Sequence, residues 1–156
     1  MVGVQDARNI LSRYGTMTVR IKRLHPDALV PKYGRPGDAG LDLHALVDVT
    51  VAAGERVLVP TGIALAIPVG TVGLVWDRSG MAAKHGMKTM AGVLDHTYRG
   101  ELKIVLLNTT GAAYEIKKGD RIAQLLIQPI ITTEVIEVAE LEETVRGDGN
   151  FGSSGR

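Results

Sequence analysis

The sequence predicts a single all-β domain, and three observations carry that expectation. Nineteen glycines and six prolines cut the 156 residues into short segments. Between them lie segments filled with β-branched residues, and in one of them, residues 57–67, apolar residues fall on alternate positions, the period of a half-buried strand. Gly/Pro or polar turns separate these segments at the intervals of sandwiches and barrels. Apolar residues make up 45% of the chain, enough for one core, and the length suits one domain better than two.

The elements follow in order. "MVGVQDARNILSRYG" sets Val4, Ala7, Ile10, Leu11 and Tyr14 on one helical face, although isolated helices of this length are marginal. Met17 reads as the start of the domain. Residues 1–16 are therefore expected as a flexible or helical appendage, 17–140 as the β domain, and 141–156 as a flexible Gly/Ser-rich C-terminal arm. Strands are expected in "TVRIKRL" (18–24), "TVGLVW" (71–76), "ELKIVLLN" (101–108), "RIAQLLIQ" (121–128) and "TTEVIEV" (132–138). In "ERVLVPTGIALAIP", Val57, Val59, Ile63, Leu65 and Ile67 alternate, and the break at Pro60 and Gly62 predicts a pair of strands. "SGMAAKHG" (79–86) predicts two helical turns closed by a glycine. There is no internal repeat.

Charge and composition exclude several classes. With 18 basic and 17 acidic residues the net charge is +1, so no bulk attraction to nucleic acid or membrane is expected. The absence of cysteine removes disulfides, thiolate metal sites and a thiol nucleophile. No apolar run approaches the roughly 18 residues of a membrane helix, and the first residues lack the layout of a signal peptide. A soluble, intracellular, cytoplasmic protein is the expectation.

Chemistry must come from motifs. In "PGDAGLDLHA" (36–45), Asp38 sits in a Gly-flanked turn and Asp42 at the start of a strand. Both suit turn chemistry, and either suits a hydrated divalent cation shared with phosphates. In "WDRSGMAAKHG" (76–86), Arg78, Ser79 and Gly80 lie where strand gives way to helix. They fit an anion grip, or Ser79 is a simple N-cap. "AGVLDHTYRGELKIVLLN" (91–108) holds Asp95 in what reads as a tight hairpin. A lone carboxylate without a His or Ser partner fits a general base acting on water, not a covalent triad. Tyr98 is a surface aromatic or a platform for a sugar. Gln124 in "KKGDRIAQLLI" (117–127) is an amide among apolar neighbours that needs partners, for the fold or for a ligand.

The succession AGLDL, RSG, GVLDHTYRG, GDRIAQL and RGDGNFGSSG resembles the five ordered motifs of the homotrimeric dUTPases, from about Val19 to Arg156. The resemblance implies a jelly-roll β fold with one short helix. It also implies a homotrimer with three shared active sites, and Mg²⁺-dependent attack of water on the α-phosphorus of dUTP, giving dUMP and pyrophosphate. Such an activity limits uracil incorporation into DNA and supplies dUMP for dTMP synthesis. By matching position, Asp95 would activate the water and Asp42 would hold the metal through its water shell. Arg78, Ser79, Gly80 and Gln124 would grip phosphates, and Tyr98 would pack under the deoxyribose. The backbone near Gly92 and Lys103 would read uracil. Arg146 would reach the γ-phosphate and Phe151 would stack on the base. Ser153, Ser154 and Gly155 would offer donors to the terminal phosphates as the arm closes over a neighbouring subunit's site.

Departures from the family pattern are specific. Asp77 stands where proline is commonest, a negative charge that must be paired or turned away from the phosphates. Asn150 replaces a glycine, and Asn tolerates left-handed backbone. Ser154 replaces a threonine and keeps the hydroxyl. The related dCTP deaminases carry a catalytic glutamate five residues after the hairpin glycine. Counting from Gly100 gives Val105, which has no proton to transfer. A non-catalytic nucleotide-sensing trimer is the other alternative, and it would be expected to lack the base or the arm.

Overall fold

A computed structural model describes residues 17–145 and 147. The strand expected for residues 101–108 is β9 (Glu101–Asn108), where Leu102, Ile104, Leu106 and Asn108 are buried and the intervening side chains are more exposed. That strand lies inside a four-stranded sheet ordered β1 (Arg20–Arg23), β5 (Arg56–Ala66), β9 and β7 (Met87–Met90). Facing it is a five-stranded sheet ordered β2 (Lys32–Tyr33), β3 (Leu41–His44), β11 (Arg121–Pro129), β6 (Thr71–Trp76) and β8 (Val93–Leu94). β4 (Val49–Val51) and β10 (Tyr114–Ile116) pair separately, and every pairing is antiparallel. The result is a two-sheet jelly roll. Leu43, Val59, Ile63, Ile104, Leu106 and Leu125 meet between the sheets with almost no exposure.

Asn108, like Thr71, is a fully buried polar residue of this core. Its amide nitrogen donates to the carbonyls of Val51 (3.0 Å) and Ala112 (2.7 Å), and its oxygen accepts from the Thr110 backbone and hydroxyl. A buried amide with all its partners costs little, and one left short of them costs much.

The single helix among the described residues, α1 (Ser79–His85), ends at Gly86 as expected. Gly86 has φ 60° and donates to the Met81 and Ala82 carbonyls. Two expectations need correction. Residues 56–66 form one strand, not two; the register shifts between Pro60 and Ala64, so the proline and Gly62 are absorbed by an irregularity within β5. Residues 132–138 form no strand: no edge of either sheet takes them up, and Val135 and Ile136 are 92% and 71% exposed. Their β-branched side chains have nothing to pack on within one chain. Residues 1–16, Arg146, Asn150, Phe151, Ser153, Ser154 and Gly155 lie outside the described residues. Among the described residues no helix is long and apolar enough to cross a membrane.

Candidate active site

The central position of β11 brings distant motifs together. Gln124 pairs with Asp42 on β3 to one side and with Trp76 on β6 to the other. Directly paired residues share a sheet face, so Asp42 and Gln124 stand abreast. Arg78, Ser79 and Gly80 follow two residues beyond the end of β6. The opposite face of the same positions, Leu43, Val75, Ala123 and Leu125, is buried core. A polar concavity of about 510 Å³ results, lined by Asp38, Asp42, Arg78, Ser79, Gly80 and Gln124 together with Arg35 and Arg121.

Asp42 is the hub of this concavity. Its Oδ1 accepts from Arg78 Nε at 3.0 Å, and its Oδ2 accepts from Arg121 Nη1 at 3.3 Å. Arg78 also donates to the Arg121 carbonyl at 3.3 Å. Asp38 has turn chemistry: its Oδ2 accepts from the Arg35 backbone at 2.7 Å. Ser79 is the first residue of α1, not its cap. The N-cap is Arg78, which makes no side-chain capping bond. Gln124 Nε2 donates to the Asp77 carbonyl at 2.8 Å, and Gly40 makes room for this amide, since a Cβ there would stand 2.6 Å from Gln124 Oε1. Burial pushes the His44 imidazole below its ordinary value; Asp42 opposes the drop, while Arg121 and Arg78 add to it.

Arg121 is the residue that sequence reasoning missed. Strict alternation sets positions 121 and 124 on opposite faces. The ladder shifts between Arg121 and Ala123, so Arg121 pairs with His44 while Gln124 pairs with Asp42. One extra residue on β11 turns the Arg121 side chain to the face of the concavity. A basic residue opening an apolar strand is the signal that the sequence offers.

Asp95, Tyr98, Gly92 and Lys103 lie elsewhere. They line a second concavity, of about 450 Å³, with Leu58, Met90, Glu101 and Val105 on its walls. The two concavities share no lining residue. The expected hairpin around Asp95 also needs correction. β8 pairs with β6 in one sheet and β9 with β5 and β7 in the other, so residues 95–100 cross between sheets. Asp95 opens a turn closed by the Tyr98 N–H on its carbonyl at 3.0 Å. The Tyr98 hydroxyl donates to the Glu101 carbonyl at 3.0 Å, and the ring lies over Gly100. Gly92 has φ 112°, and its carbonyl accepts from Val75 N at 2.8 Å; any Cβ there would press on the Val75 carbonyl. Ala91 before it holds φ 60°, an uncommon conformation for a residue with a side chain.

Asp77, the charge expected to need pairing, is paired. Its carboxylate accepts from Lys88 Nζ, Thr89 N and Thr89 Oγ1, all on β7. Burial works to raise this carboxyl, and the Lys88 and Thr89 donors outweigh it, leaving it below the ordinary carboxylate range.

For a divalent cation, no group of three His, Asp or Glu side chains converges among the described residues. Both oxygens of Asp42 face guanidinium groups. This donor set does not fit a cage made by the protein alone. It fits an acceptor for the waters of an ion whose inner ligands are phosphates.

Two antiparallel sheets, with a polar concavity of arginines and aspartates formed beside β3, β11 and the end of β6, define a jelly-roll class of β protein. The Staphylococcus bacteriophage 80alpha dUTPase with dUpNHpp superposes with a TM-score of 0.84 at 32% identity, covering 89% of this chain and 99% of that one. The dUTPase of phage phi11 of S. aureus, described with a structural Mg(II) ion, superposes with a TM-score of 0.75 at 30% identity, covering 81% and 99%. The deoxyuridine 5'-triphosphate nucleotidohydrolase of Rhodococcus erythropolis is 51% identical over 142 residues, covering 89% of this chain and 87% of that protein. The dUTPase family model matches residues 27–155, and the chain belongs to the dUTPase family.

Proposed function

We propose that this protein is a dUTP diphosphatase that hydrolyses dUTP to dUMP and pyrophosphate as a cytoplasmic homotrimer. The observation that carries the reading is the register of β11, by which Asp42, Arg78, Ser79, Gly80 and Gln124 converge on one concavity. Two guanidiniums, a hydroxyl, an amide and backbone N–H groups suit the oxygens of a triphosphate. Bound Mg²⁺ would offset part of the triphosphate charge, with Asp42 accepting from its waters.

Asp95 is the general base. It is exposed in the single chain and open to water. As the water oxygen bonds to the α-phosphorus, Asp95 takes its proton and the bond to the departing pyrophosphate breaks. Positioning and charge stabilisation supply most of the acceleration. Gly92 and the backbone beside Lys103 read the uracil edge, and Tyr98 packs where a 2′-hydroxyl would clash. Discrimination of this kind is strong because a wrong base leaves buried polar groups unpaired.

The separation of the Asp95 concavity from the Arg78 concavity supports a site completed by more than one subunit. Each base would then face a phosphate grip from a neighbouring chain. Residues 141–156 form the arm over that site, with Arg146 on the γ-phosphate, Phe151 on the base, and Ser153, Ser154 and Gly155 on the terminal phosphates. Residues 1–16 are an appendage outside the catalytic domain.

The test is to incubate the protein and Mg²⁺ with dUTP, dCTP, dTTP and UTP separately and to assay pyrophosphate. Release from dUTP alone is expected. Ammonia from dCTP would replace this reading with a deaminase, and inertness toward all four would leave a nucleotide-sensing trimer.

A further inference from the structure

We infer that Asp77 is a positioning residue, tethering the phosphate grip of one sheet to β7 of the other so that Arg78 and Gln124 are held for a triphosphate. The inference rests on the reading above. Asp77 occupies the junction between the end of β6 at Trp76 and the start of α1 at Ser79. Local capping does not fix this junction, because the N-cap Arg78 makes no side-chain bond to the helix.

Asp77 fixes it from both ends. Its carboxylate, whose side chain is 19% exposed, accepts from Thr89 N (2.5 Å), Thr89 Oγ1 (2.6 Å) and Lys88 Nζ. All three donors belong to β7, in the four-stranded sheet, whereas β6 belongs to the five-stranded one. Its carbonyl meanwhile accepts from Gln124 Nε2 at 2.8 Å. A primary amide carries two N–H donors. With one engaged by Asp77, and the other end of the amide confined against Gly40, the second donor is left for a phosphate oxygen.

The pairing also decides electrostatics. An unpaired carboxylate next to Arg78 would repel the phosphates that Arg78 is to hold. Lys88 neutralises it from outside, without lining the polar concavity itself. Lys88 is therefore predicted to influence phosphate binding although it never reaches the substrate.

A double-mutant cycle on the full-length protein tests the tether, with kcat and KM for dUTP as readouts. Asp77→Asn and Lys88→Met should each raise KM by about fivefold to tenfold with kcat moved less than about threefold, the signature of lost ground-state grip. The two changes should not add: the double variant should bind dUTP no worse than Asp77→Asn, because each removes the same interaction. Thr89→Val, which deletes one donor and keeps the backbone N–H, should give a smaller rise of the same kind and serves if Asp77→Asn folds poorly. Additive effects, or an unchanged KM beside a lowered melting temperature, would overturn the inference and leave Asp77 a purely structural link. Should the unaltered protein fail to hydrolyse dUTP, the functional reading falls separately. The same cycle is then read by calorimetry with tripolyphosphate, where loss of the non-additive pattern again overturns the tether.

Discussion

The Nε of Arg78 lies 3.0 Å from Oδ1 of Asp42, joining a carboxylate on β3 to the guanidinium that follows β6. Arg121 approaches the other oxygen of the same carboxylate at 3.3 Å. Asp42 therefore orients both guanidiniums, and under the proposed function it would also accept from the waters of a hydrated ion. Asp42→Asn keeps the shape and removes the charge. Loss of such an outer contact typically weakens metal affinity by about 10–100-fold. The half-saturating Mg²⁺ concentration for pyrophosphate release from dUTP should rise by about tenfold or more, and an unchanged Mg²⁺ requirement would remove Asp42 from the ion's surroundings.

Asp95 lines a different concavity from Arg78 and Gln124. Asp95→Asn should bind dUTP with near-native affinity in calorimetry while kcat falls at least about a hundredfold, the scale of a lost general base. A variant with native turnover would exclude Asp95 as the base. One that no longer binds dUTP would make it a binding residue instead.

Much of this arrangement is legible in the residues themselves. β6 and β9 occupy the segments 71–76 and 101–108 read as strands between turns, and α1 ends at the glycine that its sequence offers. These elements are legible because each has its own periodicity and its own punctuation. Other features depend on what lies opposite. Residues 132–138 are rich in the β-branched residues of a strand, yet that composition describes a surface and not the partner that must cover it. Pro60 and Gly62 look like the end of a strand until a bulge in β5 accommodates them. Arg121 reaches the concavity only through a register shift that no count along the chain reveals. The partners of Asp77 sit on β7, eleven and twelve residues further along the chain, in the opposite sheet. The ordered motifs name the chemistry, whereas the division of the site into two concavities is a property of the folded chain.

Asn108 offers a stability prediction remote from the chemistry. It is fully buried, and its side chain answers two carbonyls and two donors. Asn108→Ala takes the amide donor from the buried Val51 carbonyl, whereas Thr110 and Ala112 are exposed and keep the bond from the Thr110 hydroxyl to the Ala112 carbonyl. An unsatisfied buried group costs roughly 1–3 kcal/mol, so the loss should be about 1–3 kcal/mol in denaturant unfolding. KM for dUTP should stay within about twofold where the variant is folded, since truncation touches no residue of either concavity. A loss below about 1 kcal/mol would mean the loop at Ala112 relaxes to find other partners.

Acid should act on the Asp77 tether in a defined direction. Burial favours the neutral carboxyl, but Lys88 and Thr89 favour the charged form more, so the folded value lies below the 3.8 of an ordinary aspartate. Below that ordinary value the unfolded chain takes up the proton while the folded one resists it. The stabilising contribution is therefore complete above about pH 4 and fades as pH falls through the lower, native value. Asp77→Asn has no proton to take up at this position. The gap in melting temperature between the unaltered protein and Asp77→Asn should be widest near neutrality and should close on acidification below about pH 4. Paired thermal melts at a series of pH values measure it directly. A gap that stays constant into acid would mean that the Lys88 pairing contributes nothing to the fold.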